Sequence, residues 1–209
     1  MYEKYLKRIA DIVLSLIGLI FFSWIYVIII IAIKIDDPGP AFFTQKRVGK
    51  DKSYFKLHKF RSMKMSTPHD TPTHLLENPE QYITKIGKFM RKYSIDELPQ
   101  IWDIFVGNMS IVGPRPALWN QDDLVKERDK YHANHVRPGL TGWAQINGRD
   151  ELEIPVKAKL DGEYVEKLKK SSLSGIFMDL RCFFGTFLSV LRADGVVEGG
   201  TGAKKNSKK

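Results

Sequence analysis

Two adjacent carboxylates, Asp96 and Glu97, stand in the string Ser94-Ile95-Asp96-Glu97-Leu98-Pro99-Gln100. Arg91 and Lys92 lie just upstream, and Pro114-Arg115-Pro116 follows in a glycine-flanked turn. Paired acids beside fixed cations suit an anionic, phosphate-bearing ligand. The cations grip phosphate oxygens, and the acids invite a divalent metal to bridge carboxylate and phosphate. A carboxylate can also attack phosphorus and form an acyl phosphate. The same residues have a plain structural reading: Ser94-x-x-Glu97 is a capping box, and acids in a helix's first turn favour its dipole.

The segment from Arg137 to Arg149, Arg137-Pro138-Gly139-Leu140-Thr141-Gly142-Trp143-Ala144-Gln145-Ile146-Asn147-Gly148-Arg149, reads as a loop. As a substrate loop, its two arginines would hold phosphates and Trp143 would offer a stacking face. As a simple connection, its polar side chains would satisfy backbone groups. Other candidates carry less. His132-x-x-His135 has metal-compatible spacing, but no Cys or HExxH context supports zinc, and His58, His69 and His74 lack defined partners. Walker A and GxGxxG signatures are absent, and so is any recognisable nucleic-acid module. Cys182 is the only cysteine, which rules out an intramolecular disulfide and fits a small core residue in a reducing compartment.

The elements that must position these residues begin with a membrane segment. Ile12 to Ile33 contains neither charge nor proline, and a bilayer-crossing helix needs about 20 such residues. Lys34, Asp36 and Asp37 follow it in place of the small-residue cleavage site of a secretory signal. Basic residues crowd both flanks, with Lys4, Lys7 and Arg8 before and Lys34, Lys46, Arg47 and Lys50 after. Both ends therefore favour the cytoplasmic side. A helix that enters and returns, bent near Gly18 or Ser23, satisfies both flanks; a straight crossing is the alternative.

Asp36-Asp37-Pro38-Gly39-Pro40 ends that helix. Two β-rich runs, Ala41 to Val48 and Ser53 to Met63, read as a hairpin around Gly49-Lys50-Asp51-Lys52. Ser66 to Pro79 reads as a surface loop. Helical spacing resumes near Gln81, and further helices are expected over Glu97 to Phe105, Asp122 to His135 and Pro155 to Lys170. From Ser171 to Arg192 a wide apolar stripe suits either core or an interfacial helix on the bilayer. The expected fold class is α+β, mainly α, with a small globular domain, a short β-hairpin and amphipathic helices. Residues 1–36 form the membrane part, 37–195 a domain at the membrane surface, and 196–209 a flexible basic tail able to touch anionic lipid. The net charge of +9 suits nucleic acid, an anionic membrane or phosphorylated substrates without choosing among them.

Taken together, the strings resemble the bacterial sugar transferases, also called monotopic phosphoglycosyl transferases. The likeness runs from Tyr2 to about Gly195. It rests on Lys7-Arg8-x-x-Asp11, Phe43-Thr44-Gln45-x-Arg47-x-Gly49, Lys59-Phe60-Arg61-Ser62-Met63 and Arg91-x-x-Ser94-Ile95-Asp96-Glu97-Leu98-Pro99-Gln100. Gly107-Asn108-Met109-Ser110-Ile111-Val112-Gly113-Pro114-Arg115-Pro116 and the Arg137–Arg149 segment complete it. The resemblance implies transfer of a sugar 1-phosphate from a UDP-sugar to undecaprenyl phosphate with release of UMP, on the cytoplasmic face of the bacterial inner membrane. Asp96 would be the nucleophile and Glu97 a metal ligand or base, with Mg²⁺ on the two acids screening the diphosphate. Lys59, Arg91 and Arg115 would neutralise phosphate oxygens, and Arg137, Gln145 and Arg149 would line the substrate loop. Inner-membrane lipid and downstream glycosyltransferases are candidate partners; nucleic acid is not. The resemblance also favours a re-entrant helix, although Ser23-Trp24 stands where the family usually has Ser-Pro. Two rivals remain: a membrane-anchored basic scaffold, and a hydrolase that uses water as acceptor.

Overall fold

The computed structural model describes residues 2–67, 79–148 and 151–192, with side chains through residue 186. The Ser66–Pro79 loop lies mostly outside the described residues, and the 196–209 tail and Arg149 lie wholly outside them. The described chain is mostly helical with two small sheets, as the expected class requires.

Helix α1 (Lys7–Asp36) keeps helical backbone through Ser23-Trp24. Its outer face leaves Ile9, Val13, Ile17, Ile20, Trp24, Ile28 and Ile31 exposed. Its inner face is fastened to the rest of the protein from end to end. Lys7 Nζ donates to Asp179 Oδ2 at 2.7 Å, and Arg8 donates to the carbonyls of Ile104 and Phe105 at 2.7 and 2.8 Å. Asp11 accepts the Ile111 N–H at 2.9 Å, and Tyr26 Oη donates to the Leu98 carbonyl at 2.7 Å. At the far end Asp36 accepts the Ile86 N–H at 2.8 Å and Arg61 donates to Asp37 Oδ2 at 2.5 Å. Ser23 Oγ donates back to the Ile20 carbonyl at 2.8 Å, so its hydroxyl is satisfied within the apolar helix.

Strands β1 (Phe42–Val48) and β2 (Tyr54–Phe60) pair antiparallel from Phe42↔Phe60 to Val48↔Tyr54, the expected hairpin. Phe60 is almost fully buried, stacked on Phe42 and edge-on to Tyr26. Helix α2 (Lys85–Lys92) is capped by Thr84, whose Oγ1 accepts the Gly87 N–H at 2.9 Å. Helix α3 (Gln100–Val106) ends at Gly107, whose φ of 97° is the left-handed terminus that glycine adopts without strain.

Three sequence expectations change. The acids precede helix α3 in a 3₁₀ turn, Ile95–Glu97, because Ser94 is left-handed (φ 55°) and makes no side-chain cap. The capping box is therefore not formed, and Glu97 is free to point elsewhere. The Asp122–His135 helix stops early as α4 (Asp122–Asp129), since His132 is also left-handed (φ 57°). The Arg137–Arg149 segment is no simple loop. It supplies β4 (Gly139–Thr141), which pairs in parallel with β3 (Ser110–Val112), and then α5 (Trp143–Ile146). Three-residue strands show no alternation to read. A Cβ on Gly139 or Gly142 would collide with the Gly113 backbone, so these glycines exist for a close strand approach rather than for a flexible loop.

Helices α6 (Ile154–Lys170) and α7 (Ser172–Arg192) close the fold close to their expected limits. Val112, Val136, Tyr164, Val165, Leu168, Met178 and Cys182 form one core cluster. Burial pushes the Cys182 thiol up to about 12, so it is a packing residue. Leu173, Phe177 and Phe184 on the other face of α7 stay exposed.

Asp179 ties the two ends of the chain together. It accepts from Tyr2 Oη at 2.6 Å, Lys7 Nζ at 2.7 Å and Tyr164 Oη at 2.8 Å. Asp179→Ala strands a buried ammonium and should lower unfolding free energy by about 3–5 kcal/mol, whereas Asp179→Asn, which keeps an acceptor, should lower it less. Denaturant unfolding of the detergent-solubilised protein measures both.

Candidate active site

Lys59 arrives from β2, whose alternation sets it on the same face as buried Leu57 and opposite half-buried His58. The Ile95–Glu97 turn presents both acids, and the β3–β4 pair holds the Gly113-Pro114-Arg115 turn beside them. Gly113 donates its N–H to the Thr141 carbonyl at 2.8 Å, which fixes the start of that turn.

Glu97 is clasped from two sides. Lys59 Nζ donates to Glu97 Oε1 at 2.9 Å, and Arg115 donates to Oε1 at 2.5 Å and Oε2 at 3.3 Å. Asp96 is buried to the same degree but less supported, with Lys59 Nζ at 3.7 Å from its Oδ2. Its neighbours push the two acids apart. Burial would raise the Glu97 carboxyl, but Arg115 and Lys59 outweigh it and hold Glu97 well below the usual carboxylate range. Burial raises Asp96; Lys59 offsets part of this and the Glu97 charge adds to it. One acid is locked ionised and occupied, and the other is more basic and has an open oxygen. Such a split is what separates a charged anchor from a reacting carboxylate.

The sequence-derived set divides in space. Lys59, Asp96, Glu97 and Arg115 come together. Arg91 belongs with them: its charge lowers Asp96 and its Nε donates to Ser62 Oγ at 3.0 Å. Gln145 lines a small cleft with Arg115, Arg128 and Lys157; its Nε2 reaches the Gly113 carbonyl at 3.5 Å and its buried Oε1 has no hydrogen bond. Arg137 lies elsewhere, with Nε on the Gly107 carbonyl at 3.0 Å near Arg8. Trp143 has one ring face covered by Arg181 at 4.6 Å, and its Nε1 donates to Glu163 at 3.0 Å. His135 pairs with Asp51, Nδ1 to Oδ1 at 2.8 Å.

No three His, Cys, Asp or Glu side chains cluster as a metal cage among the described residues. The donors fit Mg²⁺ in another way. Mg²⁺ commonly takes one or two carboxylates together with substrate phosphates, and Asp96 has an oxygen to share. Glu97 can add its Oε2, whose single hydrogen bond among the described residues is the 3.3 Å one from Arg115.

The sequence profile of the bacterial sugar transferases matches residues 2–193. The chain belongs to the bacterial sugar transferase family. It is 40% identical over 172 residues to the UDP-glucose:undecaprenyl-phosphate glucose-1-phosphate transferase of Escherichia coli (strain K12), covering 79% of this chain and 37% of that protein. It is 37% identical over 191 residues to the uncharacterized sugar transferase EpsL of Bacillus subtilis (strain 168), covering 91% and 90% of the two chains. A third relative, the exopolysaccharide production protein PSS of Rhizobium leguminosarum bv. phaseoli, is 36% identical over 195 residues, covering 89% and 95%. The chain thus spans little more than a third of the E. coli protein's length (37%) and nearly all of the two shorter relatives.

Sequence reasoning missed the support behind Arg115 in this member of the family. Arg128, almost fully buried on α4, donates from Nε to Asp161 Oδ2 at 2.8 Å and from its guanidinium to the Arg115 carbonyl at 3.0 Å. Asp161 on α6 is equally buried. Both read as solvated charges in a helical pattern, and only a shared orientation of α4 and α6 reveals them. Arg128→Leu leaves the Asp161 carboxylate unpaired and releases the Arg115 backbone. It should cost about 3–5 kcal/mol in a denaturant titration. In the double variant Arg128→Leu/Asp161→Leu most of that loss should be recovered.

Proposed function

We propose that this protein transfers a sugar 1-phosphate from a UDP-sugar to undecaprenyl phosphate, releasing UMP, and so begins a lipid-linked glycan. The observation that carries this reading is the split between two adjacent buried acids, one clasped by Lys59 and Arg115 and the other raised and open. The names of the E. coli relative and of the Rhizobium relative point to the same substrates and to exopolysaccharide.

In the first step an oxygen of Asp96 attacks the phosphorus bonded to the sugar. The bond to the bridging oxygen of the diphosphate breaks and UMP leaves with that oxygen. The product is an aspartyl phosphosugar. In the second step a phosphate oxygen of undecaprenyl phosphate attacks the same phosphorus, the Asp96 O–P bond breaks, and the carboxylate is restored. Lys59, Arg91 and Arg115 lower the repulsion between the anionic nucleophile and anionic substrate, the main demand of phosphoryl transfer. Glu97 keeps Lys59 and Arg115 aimed at that place. Asp96 and Glu97 would hold Mg²⁺, which would supply further charge neutralisation at the diphosphate.

The acceptor is a lipid, so the site belongs at a bilayer. With α1 fastened to the same domain at Lys7 and at Asp37, both of its ends belong on one side of the membrane. Its 30 residues would span about 45 Å end to end, more than a hydrocarbon core. We place α1 in the cytoplasmic leaflet of the inner membrane, with both ends on the basic side and the exposed apolar faces of α1 and α7 in lipid.

The test is UMP release from a panel of UDP-sugars by the detergent-solubilised protein with Mg²⁺ and undecaprenyl phosphate. Lipid-dependent release should occur and should fall by at least about 10³-fold in Asp96→Asn. Sugar phosphate freed without the lipid would point instead to the hydrolase, and no turnover with intact lipid binding in Asp96→Asn would point to the scaffold. Asp96 must be ionised to attack, and its pKa is raised. The rate should therefore fall, as pH drops, at a pH above the usual aspartate range. Removing the neighbouring negative charge in Glu97→Gln should move that acidic limb to lower pH in any residual activity, read from the pH–rate profile.

A further inference from the structure

A second concentration of positive charge lies at the other end of α3 from the acids. A cavity of about 410 Å³ opens there beside the N-terminal end of α1. Lys4, Lys7 and Arg8 from the start of the chain, Lys50 from the β1–β2 connection and Arg137 line it. Glu3 and Asp11 are the acids in its wall, and Asp11 is partly spent on the Ile111 N–H at 2.9 Å.

Two guanidiniums are forced together in this wall. Arg8 is held by the carbonyls of Ile104 and Phe105, and Arg137 by the Gly107 carbonyl. Both thus serve the C-terminal end of the short helix α3, where carbonyls lack partners and cations are favoured. Arg137 spends only its Nε there, which leaves its two terminal nitrogens without a partner among the described residues. Lys4 and Lys50 are exposed at the rim and form no ion pair among the described residues. A forked guanidinium with open donors, backed by flexible ammoniums, is suited to a phosphate.

The depth of the cavity says where the phosphate comes from. Tyr5, Leu6, Ile9, Ile12 and Val13 form an exposed apolar surface on the other side of the same helix end from the cavity wall. Charge gives way to hydrocarbon along this helix after Asp11, where the uncharged run Ile12–Ile33 begins, and in a bilayer that boundary is the layer of lipid phosphates. This holds for a spanning helix as well as for a re-entrant one, and it does not rest on the transferase reading.

We propose that this basic cavity is a lipid-phosphate site, separate from the Asp96–Glu97 centre, which holds the headgroup phosphate of an anionic membrane lipid and seats the N-terminal end of α1 at the membrane surface. Arg137 then serves membrane seating, which accounts for its distance from the acids.

Native mass spectrometry of the full chain in detergent, supplemented with phosphatidylglycerol or with phosphatidylcholine, tests this. Wild type should retain phosphatidylglycerol at near one per chain and prefer it over phosphatidylcholine. The double variant Lys4→Glu/Lys50→Glu changes two exposed side chains outside the core, and should lower retention at least tenfold. Lys126→Glu/Lys169→Glu makes the same change in net charge at exposed positions elsewhere and should retain the lipid as wild type does. Equal retention in all three proteins, or equal loss in both variants, would overturn the proposal. Competition with inorganic phosphate separates the sources: the lipid should stay bound, and its displacement by equimolar phosphate would overturn the assignment to a lipid.

Discussion

A carboxylate buried as deeply as Glu97 persists in ionised form only if cations come with it, and the site is organised around that requirement. Lys59 and Arg115 come from a hairpin strand and a strand-linked turn that share no local sequence, and they meet on the same Glu97 oxygen. Breaking a buried pair leaves a charge with neither water nor partner, which costs far more than a surface bridge contributes. The hairpin, the 3₁₀ turn and the β3–β4 pair are therefore locked to one another through this carboxylate. The adjacent Asp96 inherits the consequences: it is dry, beside a fixed negative charge, and only partly compensated. Its basicity is raised first by burial and then by the Glu97 charge, against the pull of Lys59.

The same logic of charge matched at depth recurs through the molecule. Asp179 gathers Lys7 and two tyrosine hydroxyls where α1 meets α7, and Asp161 gathers Arg128 behind Arg115. Arg8 and Arg137 gather on the end of α3 instead, where the partner is a set of carbonyls rather than a carboxylate. A carbonyl neutralises less charge than an acid does. The first two clusters are closed, and the third keeps an excess that faces outward.

Helix α1 illustrates how a long apolar helix is held to a domain without a proline. A polar residue in each successive part of its inner face meets the domain: Lys7, Arg8 and Asp11, then Tyr26, then Asp36. Between them Gly18 admits Ile101. The remaining surface is apolar. Geometry of attachment, rather than a break in the backbone, keeps both ends on one body.

The sequence by itself determined the long apolar helix, the hairpin, the family and the identities of the acid pair and its cations, because each rests on local composition, turn chemistry or an ordered string of residues. Helices α6 and α7 were legible for the same reason, since their amphipathic period survives along many residues. Other features were decided only by the tertiary structure. That Glu97 abandons its capping role for Lys59 and Arg115 depends on a left-handed Ser94 and on partners 38 and 18 residues away in the chain. The pairing of β3 with β4 depends on glycines that matter only once two backbones approach. The separation of Arg137 from the acids, and the burial of Arg128 and Asp161, depend on which helix faces turn inward. Charge type is written locally, but burial and partnership are non-local, and they are what make one of two neighbouring acids an anchor and the other a candidate nucleophile.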